Sequence, residues 1–378
     1  MSSSVTLGAH PGGDRPSKRQ RTDEDAPSQP SEVRIARSDV VWKPDGDLVI
    51  RTVSQSPDEP FVTHTLYRAH KVILATHCAV FASMFEGDQT AFEVASERYE
   101  GAPVMELPDA AEDVENFLDA MYHPKQLRKH MKERGQNPLL KACMPVFPDS
   151  YFGVLRLSTK YDAHDMREQV ATALARMWPD NLDDWDSAES MLPDITDDYR
   201  EPGKYIRLAT ASDLPELLPA MFYDLARASD ITLSDMEICR GMLERYEADL
   251  ALLTRSELRR LINGKTTLRA FVTGRARWYW GSLGPACEGR CGRSPGCLTA
   301  AKSQWRESVT MVYVQDGDYL DYLGYLERTV GDFMGDPVCD RRKQHVKSEI
   351  RRIREDTWDA LREVFGIVIE NRASAASV

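Results

Sequence analysis

The sequence predicts an α+β domain, with a β-hairpin, short strands and a helical cluster, followed by an all-α C-terminal region. Three observations carry this reading. Two β-branched runs flank a polar loop between residues 48 and 67, apolar stripes at helical spacing fill most of the rest, and an acidic stretch divides the chain near residues 180–201. A length of 378 residues suggests two or three domains. The chain is 42% hydrophobic and 29% charged, which suffices for at least one sizeable core.

Residues 1–37 read as a disordered tail. Ser, Pro and Gly dominate, no aromatic residue occurs, and burial cannot offset the ordering entropy. The tail holds the basic cluster Lys18, Arg19 and Arg21, followed at once by Asp23, Glu24 and Asp25. The cluster is either a nuclear import signal or a solvated charge run. The first ordered domain is expected over 38–178. Leu48-Val-Ile-Arg-Thr-Val53 and Phe61-Val-Thr-His-Thr-Leu-Tyr67 read as a hairpin behind a Pro44-Asp45-Gly46 turn. Two short helices follow, carrying Val72, Ile73 and Ala75, then Val80, Phe81, Met84 and Phe85. Val104 to Leu107 is a strand stopped by Pro108. Val114, Phe117, Leu118 and Met121 recur at i, i+3, i+4 and i+7, which predicts an amphipathic helix over 113–122. Residues 123–150 form a polar, basic insert, and helices are expected over 150–161 and 164–177.

Residues 180–201 hold nine acidic side chains and one basic, and the whole stretch 179–203 reads as an acidic linker or loop. From 204 to 370 the pattern is helical, with segments at 214–228, 233–246, 250–262, 267–280, around 305–314 and 319–333, and a long terminal helix. That last helix carries Val346, Ile350, Ile353, Trp358, Leu361 and Val364 on one face. Residues 371–378 are expected to fray.

Composition narrows the function classes. The longest uncharged apolar run, Val72 to Phe85, is interrupted by His77 and too short to cross a bilayer. The first residues lack the apolar stretch of a secretory signal. A net charge of −12 argues against wholesale coating of nucleic acid, though not against a local basic patch. Seven cysteines, at 78, 143, 239, 287, 291, 297 and 339, suggest reduced thiols in an intracellular setting, nuclear or cytoplasmic.

The most specific stretch is Tyr67-Arg-Ala-His70-Lys71-Val-Ile-Leu74, continuing into Val80-Phe81-Ala-Ser-Met84-Phe85. Upstream stands Ser38-Asp39-Val40-Val41, and downstream Val104-Met-Glu-Leu107-Pro108-Asp109, then a helical pattern ending at Tyr122. In this order the motifs resemble the BTB/POZ domain. Leu155-Arg-Leu-Ser158-Thr-Lys160-Tyr161 resembles its closing helix pair, in the form seen in many fungal members. The resemblance implies a protein–protein interaction module, usually a two-fold homodimer. It implies recruitment of other proteins, among them cullin scaffolds of ubiquitin ligases or transcriptional corepressors. In dimeric members the aspartate of the opening motif and the basic residue after the histidine line a charged interface pocket, here Asp39 and Lys71. The alternative is an ion pair within one subunit. Trp42 is either an interface anchor or an ordinary core tryptophan. His70 reads as a junction imidazole that fixes local hydrogen bonds.

Other chemistry is weaker. Ile262-Asn-Gly264-Lys265-Thr266 lacks the leading glycine of a phosphate loop and follows helix, so Gly264 reads as a helix-ending glycine. Cys287, Cys291 and Cys297 form a Gly-rich loop that could bind zinc with a fourth ligand, oxidise, or simply pack. No cofactor and no catalytic constellation is expected. Residues 254–280 hold seven basic side chains and one acidic, ending in Trp278, Tyr279 and Trp280. They read as a helix with core-facing aromatics whose arginines meet the acidic segment or solvent. The alternative is a nuclear regulator that touches nucleic acid through its basic C-terminal helices.

Overall fold

The computed structural model describes residues 32–55, 60–86, 97–127, 148–190, 201–227, 249–282, 296–314, 323–324 and 338–368. The basic cluster Lys18, Arg19 and Arg21 lies outside them, as do most of the 123–150 insert and the segments read as helices at 233–246 and 319–333, apart from residues 323–324.

Five strands form one mixed sheet. They are β1 (Glu32–Trp42), β2 (Leu48–Ser54), β3 (Phe61–Ala69), β4 (Arg98–Tyr99) and β5 (Ala102–Leu107), in the order β1-β3-β2-β5-β4. The expected hairpin is present: β2 and β3 run antiparallel, with Leu48 opposite Ala69 and Ser54 opposite Thr63. β5 lies parallel to β2, with Val49 opposite Val104. β4 and β5 close through Glu100 and Gly101, both at positive φ (47° and 84°). That is the twist a two-residue hairpin turn needs, and glycine meets it without a Cβ penalty.

β1 corrects the reading of 1–37 as wholly disordered. It starts at Glu32 and pairs parallel to β3 from Glu32–Phe61 to Arg37–Leu66. Val33 and Ile35 on it are more than half exposed, so backbone pairing rather than burial holds its first half, residues 32–37. A reading based on hydrophobic burial has no access to it.

Alternation along β2 sends Leu48 and Ile50 to one face and Val49 to the other. The first face is covered by α1 (Lys71–His77), α2 (Ala79–Glu86), α3 (Ala111–Tyr122), α4 (Ser150–Lys160) and α5 (His164–Ala175). Val114, Phe117, Leu118 and Met121 of α3 are all buried, as their spacing predicts. Phe81, Phe117 and Tyr161 stack with centroids 4.7 and 6.0 Å apart at the centre of this core. On the opposite face Val49, Leu66, Ala102 and Val104 make a small second cluster roofed by Trp42 and Tyr99.

The remainder is helical: α6 (Leu182–Ser190), α7 (Pro202–Ala211), α8 (Leu218–Arg227), α9 (Arg255–Ser282), α10 (Gly296–Val314) and α11 (Asp340–Val364). Its apolar side chains join the same buried cluster as the α+β domain. Tyr205 on α7 touches both Phe152 on α4 and Trp178, at 5.2 and 4.5 Å.

Two further expectations are corrected. The acidic stretch is not simply a linker or loop, because α6 occupies 182–190 and buries Leu182 and Trp185. Its described carboxylates Glu189, Asp183 and Asp186 meet Arg227, Arg351 and Arg354 of α8 and α11. Gly264 does not end a helix: α9 is continuous from 255 to 282. A Cβ at Gly264 would overlap the ring of Phe365, so the glycine is there to let that ring approach the helix backbone. On the same helix Trp278 is 60% exposed rather than core-facing, and the side chains of Tyr279 and Trp280 lie outside the described residues.

Candidate interaction surface

The surface is built around the start of the α+β domain. Ser38 is buried, and its hydroxyl donates to the Glu115 carboxylate at 2.7 Å. The same oxygen accepts the backbone N–H groups of Val40 and Val41 at 3.2 and 2.9 Å. This side-chain turn interrupts the β1 ladder between Arg37 and Trp42. It leaves Asp39 and Val40 exposed while Val41 enters the core.

Asp39 is exposed, and among the described residues no ion pair joins it to Lys71. Lys71 opens α1, where its backbone N–H donates to the Asp47 carboxylate at 2.8 Å. Trp42 is half-buried on the second cluster, edge-on to Tyr99 at 6.3 Å, with the Arg37 guanidinium 4.8 Å from its ring centre.

His70 precedes α1 and does not cap it with its own side chain. Instead the Tyr122 hydroxyl accepts the His70 backbone N–H and meets its Nδ1, both at 2.9 Å. The other ring nitrogen lies 3.4 Å from Asp45. Burial pushes the Tyr122 phenol up, which keeps it protonated and able to serve this junction. Tyr122 closes the helical motif of the sequence, but spacing alone does not reveal that it spans 52 positions to reach His70.

Beside this junction, α1 and α2 carry exposed aliphatic side chains: Val72, Val80 and Met84. Val80 and Met84 stand four apart on α2 and so share one face. The chemistry available here is burial against another surface. Among the described residues no group of His, Cys, Asp or Glu is placed to hold a metal ion. Of the three thiols in the Gly-rich loop, Cys287 and Cys291 lie outside the described residues, while Cys297 is buried in α10. No helix of the described residues is long and apolar enough to cross a membrane.

Comparison with protein families matches residues 61–175 to the BTB/POZ domain. The chain therefore carries a BTB/POZ domain there, a protein–protein interaction module. The match begins at β3, later than the 38–178 suggested by the sequence motifs. Neither the curated proteins nor the solved structures contain a match to the chain.

Proposed function

We propose that the protein is a non-enzymatic interaction protein that forms a homodimer through its BTB/POZ domain and bridges other proteins. The observation that carries this is the exposure of three aliphatic side chains, Val72, Val80 and Met84, on the first two helices of the matched domain, the latter two on one face of α2. An apolar face of this kind is stabilised by covering it with a partner surface. Its place in the cell would be intracellular, nuclear or cytoplasmic. Its partners would be a cullin scaffold, making it a ubiquitin-ligase adaptor, or a corepressor, making it a transcriptional regulator. Leu155–Tyr161 supports the fungal form of the domain. Asp39, Trp42, His70 and Lys71 are the side chains assigned to the interaction surface.

Light scattering of the full chain at micromolar concentration tests the reading. A dimer is expected for the wild type and a monomer for Val80→Asp/Met84→Asp. A wild type that stays monomeric overturns it. Affinity capture from the native host, comparing wild type with Asp39→Ala/Lys71→Ala, then separates a cullin from a corepressor. The nucleic-acid alternative draws less support, because Arg275, Arg351 and Arg354 are paired with Asp356, Asp183 and Asp186. Nucleic acid is thus not among the proposed partners.

A further inference from the structure

Cys297 and Cys339 meet in the helical region although 42 positions separate them. Cys297 lies in the first turn of α10 and is 1% exposed. Cys339 is the residue immediately before α11 and is half-buried. The backbone N–H of Cys339 donates to the Cys297 sulfur at 3.4 Å. One N–Cα bond further on, the Cys297 sulfur is within about 4.9 Å of the Cys339 Cα. The Cys339 side chain packs against the same buried cluster that contains Cys297. Both are free thiols.

We propose that Cys297 and Cys339 are a redox-active pair that forms a reversible disulfide under peroxide. The two members differ in access, and this orders the steps. Peroxide reaches the half-buried Cys339 first: its sulfur attacks one peroxide oxygen, the O–O bond breaks, and a sulfenic acid and water result. The Cys297 sulfur then attacks the Cys339 sulfur, an S–S bond forms, and the hydroxyl leaves as a second water carrying the Cys297 proton. Two thiols are oxidised and one peroxide is reduced to two waters. A dithiol reverses the bond by exchange.

The site matters because of what α11 holds. Arg351 and Arg354 on it pair with Asp183 and Asp186 of α6, and Trp358 donates to the Asp180 carbonyl at 3.0 Å. A bond from the start of α11 to the start of α10 restrains the helix that organises this region. Cys78 provides the internal contrast. Unlike the half-buried Cys339 it is 1% exposed, and burial with the nearby Asp162 pushes its thiol up to about 12, so it stays protonated and shut off from peroxide.

The test is peptide mapping of the full chain after hydrogen peroxide, with denaturing alkylation to trap remaining thiols. The expected product is one peptide pair joined through Cys297 and Cys339, short by two hydrogens and released by dithiothreitol. Cys339→Ser, which places a favoured helix-capping residue at that position, is expected to fold and to leave Cys297 fully alkylated. The joined form should melt several degrees higher than the reduced form, since closing a long loop constrains the unfolded chain. Links from Cys297 to Cys287 or Cys291 instead, over-oxidation of Cys339 without a link, or full alkylation of both residues would each overturn the proposal.

Discussion

The Arg37 guanidinium donates two hydrogen bonds to the Tyr99 hydroxyl, at 3.1 and 2.9 Å, although their strands stand at opposite ends of the sheet. Four strand spacings would put β1 and β4 about 19 Å apart in a flat sheet. The sheet is therefore rolled, and Arg37, Trp42 and Tyr99 close it over Val49, Leu66, Ala102 and Val104. Arg37 also pairs with Glu100 in the β4–β5 turn. Trp42 contributes the apolar roof, so Trp42→Ala should destabilise by about 2 kcal/mol in a denaturant titration. Arg37→Ala should leave the midpoint nearly unchanged but speed amide exchange along β1. Equal exchange in the variant and the wild type would show that the clasp does not hold the strand.

At the His70–Tyr122 junction a phenol replaces the missing side-chain cap of α1. Tyr122→Phe removes the acceptor of the His70 N–H and keeps the ring. A loss of about 1 kcal/mol is expected, with faster exchange at the start of α1. His70→Ala keeps the backbone bond and should cost less. If His70→Ala is the more damaging of the two, the imidazole rather than the phenol organises the junction.

Gly264→Ala separates helix propensity from packing. In a free helix alanine is favoured by about 1 kcal/mol. Here the new methyl would strike the Phe365 ring, which is 1% exposed and stacked on Phe222 at 5.6 Å. The overlap should win, giving a net loss of about 2 kcal/mol. Phe365→Leu in the same chain should recover part of it. A stabilised Gly264→Ala would mean that α9 and the segment after α11 do not pack as described.

What was legible in the sequence is what burial writes into it. The α3 stripe, the β2–β3 hairpin and the α11 face each expose their periodicity directly. β1 carries no such signal, because its outer residues are held by backbone hydrogen bonds, which leave no apolar signature. α6 is hidden because acidic side chains outweigh Leu182 and Trp185 in composition, while the arginines that neutralise them stand far away in sequence. In sequence, a glycine kept for a neighbouring ring, as Gly264 is, looks the same as one kept for a turn. Of the surface residues, His70 and Lys71 were placed at a strand–helix junction, as their spacing implied. Tyr122, Ser38 and Arg37 act through partners 52, 77 and 62 positions away, a relation that no local pattern contains.

α6 gives a test of how its charges act. Arg354 is nearly buried, donating to the Asp186 carboxylate at 2.5 Å and to the Leu323 carbonyl at 2.8 Å. Arg354→Ala removes the donor of the Leu323 carbonyl and leaves the partly exposed Asp186 carboxylate to solvent, and should cost about 2 kcal/mol. Arg351, by contrast, is exposed, and its pairs with Asp183 and Glu355 should add almost nothing at physiological salt. Raising salt should therefore weaken the Arg351→Ala effect to zero and leave the Arg354→Ala effect in place. Two variants with the same salt dependence would contradict this division.

The alkaline limit of stability follows from three buried acids, one thiol and two phenols. Burial, with Asp162 nearby, lifts the Cys78 thiol from 9.0 to about 12. Burial also lifts the Tyr67 phenol from 10.0 to about 12, and its hydroxyl donates to the Ala111 carbonyl at 2.6 Å. Tyr161 is raised in the same way, with its hydroxyl on Asp109. For each group the folded value lies above the unfolded one, so folding favours the protonated form. The contribution is whole below pH 9. Above pH 9 the unfolded chain sheds the Cys78 proton, and above pH 10 the Tyr67 and Tyr161 protons, while the folded chain keeps them, so stability falls by about 1.4 kcal/mol per pH unit for each group within its own window. Cys78→Ala removes one titrating group at the cost of a small packing loss. Denaturant midpoints between pH 8 and 11 should thus decline less steeply in Cys78→Ala than in the wild type, by about one proton in the slope. Parallel declines would show that the Cys78 thiol ionises alike in both states.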